Sequence, residues 1–196
     1  MTSIQTLDDA ERRVLARWAI ACAERVLPLF DGDAGAMADI RDAVARTRDY
    51  SAGHSTAAAE IGKRMIAVKA AGAATTAAGA AAARSVAQAS AVAHMGAHAL
   101  GAAAYAVKAV SLAHPGDREA VEAEIGWQLA ELTDDERSIL QTLPPLGADS
   151  AGPLSIGLLS RGILGTAIRE IQAQIGVDDR YHALLVDDNL GLKWQK

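Results

Sequence analysis

The chain has 196 residues, of which 51% are hydrophobic, 4% aromatic and 45 alanine, and it carries a net charge of −5 with a single cysteine, Cys22. These figures exclude a disordered chain, a collagen, a disulfide scaffold and a nucleic-acid binder of the strongly basic kind.

In chain order, Thr6 with Asp9 three residues later predicts the first helix start, and Val14, Leu15, Trp18, Cys22, Val26 and Leu29 recur at helical spacing until Pro28 bends or ends the run. Asp31-Gly32-Asp33 makes a turn into a second helix from about Ala34 to Tyr50, with Met37, Ile40, Val44 and Tyr50 as its inward residues. Ser55 or Thr56 caps a third helix that reaches about Ala71 and carries Ile61, Met65, Ile66 and Val68. From Ala73 to Ala113 the chain is nearly half alanine, the best intrinsic helix former, and it reads as two helices or one kinked helix with Gly79 and Gly96 as weak points. Small residues allow close backbone approach, which places this segment at the centre of the bundle.

His114-Pro115-Gly116 stops that segment, and Asp117 or its neighbour caps a helix to about Leu132 that buries Val121, Ile125 and Leu129, with Trp127 near its edge. Thr133 and Glu136 form a second capping signal, before a shorter helix that ends at Pro144-Pro145. A loop over 147–153 leads to a last helix from about Leu154 to Gly176, with Ile156, Leu159, Ile163, Leu164, Ile168, Ile171 and Ile175 inside. Strand signals are nearly absent. The predicted fold is therefore all-α: a single multi-helix bundle, one domain over 1–196, around a central Ala-rich helix pair.

No secretory signal and no Leu/Ile/Val-rich run long enough to span a membrane is present, so a cytoplasmic protein without membrane contact is expected. Charge is uneven: residues 1–116 hold 12 basic and 10 acidic side chains, and residues 117–196 hold 7 and 14. The acidity is densest from Asp117 to Glu136, and a surface at Glu119, Glu122, Glu124 and Asp135 would steer a basic protein partner and repel nucleic acid. A solvated helix face is the plainer explanation of such a run.

The other candidate site is a row at steps of four and three: His94, His98, Gly101, Tyr105 and Lys108. On one helix these positions share a face about 21 Å long, and Gly101 would leave a gap for close approach to the backbone. His94, His98 and Tyr105 suit general acid–base chemistry, while Lys108 and Gly101 would bind a ligand, with Trp18 and Arg25 as walls if the first helix packs across. Two histidines four apart also fit one metal, but the intervening Met95-Gly96-Ala97 holds no acid and no third ligand is evident, so no metal and no cofactor are expected. The competing interpretation is that the imidazoles and phenol simply satisfy core carbonyls.

Three stretches resemble a known family: Asp9-Ala10-Glu11-Arg12-Arg13 followed by Trp18 to Phe30, the segment Ala93 to Val110 that contains the row, and Glu124-Ile125-Gly126-Trp127-Gln128-Leu129 ahead of Leu143-Pro144. Together they are similar to the Imm-five-like immunity proteins of bacterial polymorphic toxin systems, over about residues 7–145. The resemblance implies an all-α protein that neutralises a toxin; residues 146–196 have no counterpart in it. Two functions follow: a toxin-binding immunity protein, or a small-molecule binder or cofactor-independent enzyme of natural-product metabolism built on the row. Whether a reaction is catalysed, and whether two copies pair, stay open on the sequence.

Overall fold

The computed structural model describes residues 3–177, and among these it holds nine α-helices and no β-strand. The all-α bundle predicted from the alanine content and the helical spacing is the observed fold. The tail with Tyr181, His182, Leu184 and Trp194 lies outside the described residues.

Helix α1 (Asp9–Val26) starts from Asp8, whose carboxylate accepts from Glu11 N while the Glu11 side chain accepts from Asp8 N. Thr6 instead closes a single 3-10 turn, Ile4–Thr6, so the helix begins later than the Thr6 signal suggested. Pro28 sits in the 3-10 turn Leu27–Leu29 that ends α1. Asp33 caps α2 (Ala34–Ser51), which buries Ile40, Val44 and Tyr50. Thr56 caps α3 (Ala57–Lys63). The expected long third helix is interrupted at Arg64, and α4 (Met65–Ala70) follows with Met65 and Val68 exposed.

The Ala-rich segment forms two helices, α5 (Ala77–Ala91) and α6 (His98–Ala113). The break falls at Gly96, for a tertiary reason. The amides of Gly96 and Ala97 donate to the carbonyls of Thr6 and Gln5, at 3.1 Å each, and the Leu7 side chain occupies the space that a Cβ on residue 96 would need. Gly79 is no weak point: it lies in the first turn of α5, where the missing Cβ lets the Asp31 carboxylate and the Leu29 carbonyl come close. The two helices pack antiparallel, with Ser85 Oγ donating to Ala102 O at 2.7 Å. Every residue from Ala99 to Val107 is buried, because α6 is surrounded by α1, α5, α7 (Arg118–Ala130) and α9 (Gly162–Ile175).

Thr133 and Glu136 form the capping box that starts α8 (Asp134–Leu140). Residues 141–161 are irregular, and α9 begins at Gly162 rather than near Leu154. Ser160 Oγ accepts from Gly157 N and donates to Gly157 O, and Gly162 adopts a left-handed φ of 52°, so the apolar spacing of 154–159 does not continue as helix. Leu154 and Leu159 still reach the core, but Ile156, expected inside, is 80% exposed. One continuous cluster of buried side chains runs from Leu15 on α1 to Val177 after α9.

Candidate functional site

The row on the alanine segment does not lie on one helix. His94 is exposed in the turn between α5 and α6, whereas His98 opens α6 and Gly101, Tyr105 and Lys108 follow on it. The place above Gly101 is already filled: a Cβ there would collide with Gln88 Oε1 and crowd Leu159 Cδ1 at 3.2 Å. Gln88 Oε1 in turn accepts from His98 Nδ1 at 2.7 Å. Burial holds the His98 imidazole down to about 4, and the nearby His94 adds a smaller like-charge effect in the same direction. His98 is therefore neutral at pH 7. Tyr105 is 4% exposed, and burial raises its phenol. Lys108 is half-buried one turn further on.

The two expected wall residues go elsewhere. Trp18 is completely buried between α1 and α7, its Nε1 donating to Gln128 O at 2.8 Å, so it is a core residue and walls no pocket at the row. Arg25 stacks over Trp127 at 4.4 Å and donates from Nε to Glu124 Oε2 at 2.7 Å. It lines a cleft of about 320 Å³ with Val110, His114 and Ala123, at the far end of α6 from His98. Cys22 is buried, and burial raises its thiol well above the usual range, which removes it as a nucleophile.

The acidic run divides by helical position. Glu119 and Glu122 on α7, Glu131 just after it, and Asp134 and Asp135 on α8 are exposed. Glu124, expected on the same surface, is 3% exposed and turned inward beside buried Gln128: its Oε1 accepts from Gln128 Nε2 and its Oε2 from Arg25. Glu136 is likewise buried, held by Arg17 and by the Thr133 N and Oγ1 groups of its own capping box. Arg118 faces solvent and pairs with Glu122 at 2.6 Å. Glu124 has one local signal, its place three residues after Val121, and its inward turn is otherwise set by Gln128 and Arg25. The exposed Glu131 and Asp134 belong to the run as much as Asp135 does. Arg17 and Arg25 carry no signal of their own, since their partners lie more than ninety residues away in sequence.

Among the described residues no three His, Cys, Asp or Glu side chains come together as a metal would require, and no helix is long and apolar enough to cross a membrane. No curated protein and no solved structure shows significant similarity to the chain. The model of one family, described as Imm-5 like putative immunity protein, matches residues 5–135. That span covers α1 to the start of α8 and so includes the central helix pair and the acidic face of α7. The match extends over about two thirds of the chain, and the chain belongs to the Imm-5 like putative immunity protein family.

Proposed function

We propose that the protein neutralises a toxin by binding it directly, through the acidic face formed by α7 and α8. The observation that carries this reading is the set of five outward carboxylates, Glu119, Glu122, Glu131, Asp134 and Asp135, on two consecutive helices and the turn between them in an immunity-family chain. Among the described residues the cations beside them are already engaged: Arg118 pairs with Glu122, Arg137 donates to the Leu129 carbonyl, and Arg17 donates to the Glu131 carbonyl and pairs with buried Glu136. Such a surface attracts a basic partner over roughly a Debye length and raises its association rate. Buried Glu124 and Glu136 do not contribute to it; they brace α7 and α8 against α1. The row from His94 to Lys108 adds no second reading, because His94 stands off the helix and Gln88 and Leu159 occupy the space over Gly101.

The test starts from the adjacent genes: a toxin domain found there is co-expressed with this chain, and the purified pair is tested for binding at several salt concentrations. The wild-type chain restores growth. A variant with Glu119→Lys, Glu131→Lys and Asp135→Lys together stays folded, binds at least about tenfold more slowly and loses most of its salt dependence. Equal association rates for the two proteins would remove the acidic face from the mechanism.

A further inference from the structure

Between α7 and α9 lies a groove of about 510 Å³, within the range of pockets that bind side chains or small ligands. Arg118, Val121, Glu122 and Ile125 form one wall at helical spacing, and Thr166, Glu170 and Gln174 form the other at steps of four. Each wall is about 10 to 12 Å long. Its floor is apolar, with Ile125 buried and Val121 half-buried. Its rim carries one carboxylate in excess: Glu122 and Arg118 pair with each other, while Glu170 accepts from Gln174 Nε2, at 2.7 Å, and pairs with no cation among the described residues.

We infer that this groove receives an amphipathic basic helix of the toxin, with an apolar side chain on Val121 and Ile125 and a Lys or Arg against Glu170. This rests on the toxin-neutralising reading above and adds where the partner anchors. A groove walled by two helices can receive a third, and its apolar floor beside the uncompensated Glu170 carboxylate is complementary to that chemistry. Of the lining residues, a second copy of this chain could offer Glu170 only Arg118, which already pairs with Glu122, so a free Lys or Arg is the better match. Residues 178–196 carry four aspartates against Arg180, Lys193 and Lys196, which is the wrong sign. The wall supplied by α9 lies outside the family-matched residues 5–135, so the groove distinguishes partners by a part of the chain separate from the matched core.

The experiment uses the full-length protein and fluorescent peptides: a Lys/Leu amphipathic helix, a scrambled peptide of the same composition, a Glu/Leu counterpart, and the chain's own residues 178–196. Two surface variants probe the groove, Thr166→Trp to fill it and Glu170→Lys to reverse its rim; circular dichroism checks that both are folded. The inference expects the Lys/Leu helix to bind best, to weaken about tenfold in either groove variant and to change less than twofold in Asp135→Lys; tenfold corresponds to about 1.4 kcal/mol. It also expects both groove variants to neutralise the toxin poorly. Binding that ignores the groove variants, preference for the Glu/Leu or 178–196 peptide, or a dimer abolished by Thr166→Trp would each overturn it. If the groove variants neutralise the toxin normally while the triple acidic-face variant fails, the groove falls and the toxin reading stands. If the wild-type chain does not neutralise the toxin, both fall.

Discussion

His98 opens the central helix with its Nδ1 bonded to Gln88 and its imidazole held down to about 4 by burial. In the unfolded chain a histidine titrates near 6.5. Its folded pKa is depressed, so the neutral form is favoured by folding; that stability is present above pH 6.5 and is lost as pH falls toward 4. Between pH 7 and pH 5 the loss from this one group is about 2 kcal/mol. Urea unfolding of the wild type and of His98→Gln at both pH values checks it: the variant should lose correspondingly less on acidification. An equal loss in both proteins would show that other groups carry the pH dependence.

At the scale of helices, the acidic residues of α7 and α8 do two different jobs. Glu136 is 1% exposed and ties α8 to Arg17 of α1, while Glu122 pairs with Arg118 on the open surface. Removing a buried partner strands the other groups it satisfied, but Arg17 is partly in water and can rehydrate. Glu136→Ala should therefore cost about 2–3 kcal/mol, and Glu122→Ala no more than about 0.5 kcal/mol, in chemical denaturation. The break between α5 and α6 is also an event at this scale. Gly96→Ala places a methyl group against Leu7, whose φ of 58° leaves it little freedom to retreat, and should cost about 1–3 kcal/mol. A thermal melt matching the wild type would show that the N-terminal segment yields instead.

Across the whole molecule, the N-terminal segment and the loop before α9 are joined by one buried side chain. Gln5 Nε2 donates to Asp149 Oδ2 at 2.8 Å and Ala151 O at 2.6 Å, and its Oε1 accepts from Leu154 N at 2.9 Å. Gln172 does the same for the next stretch, accepting from Leu146 N and donating to Pro144 O. The region after the family-matched residues is thus hydrogen-bonded to the core as well as packed on α6. Gln5→Ala leaves the buried Leu154 amide without an acceptor, which costs about 2–4 kcal/mol over the bonds lost. Hydrogen exchange should speed up selectively over 147–157 in that variant, with α5 and α6 still protected. Uniform acceleration would mean that the segment and the core open as one unit.

The sequence by itself determined what depends on neighbours a few residues apart. Alanine propensity, the apolar spacing of α1 and α2, and the caps at Thr56, Asp117 and Thr133 are local and legible, and together they specify an all-α bundle. The motifs around Trp18, His98 and Trp127 sufficed to indicate the family. Only the tertiary structure decided where α6 begins, because the carbonyls that cap it come from Gln5 and Thr6, and which acids face water, because Arg17 and Arg25 lie 119 and 99 residues before Glu136 and Glu124. It also took the row from His94 to Lys108 off a single helix face. Spacing fixes a face only while the helix continues, and here a contact distant in sequence ends it.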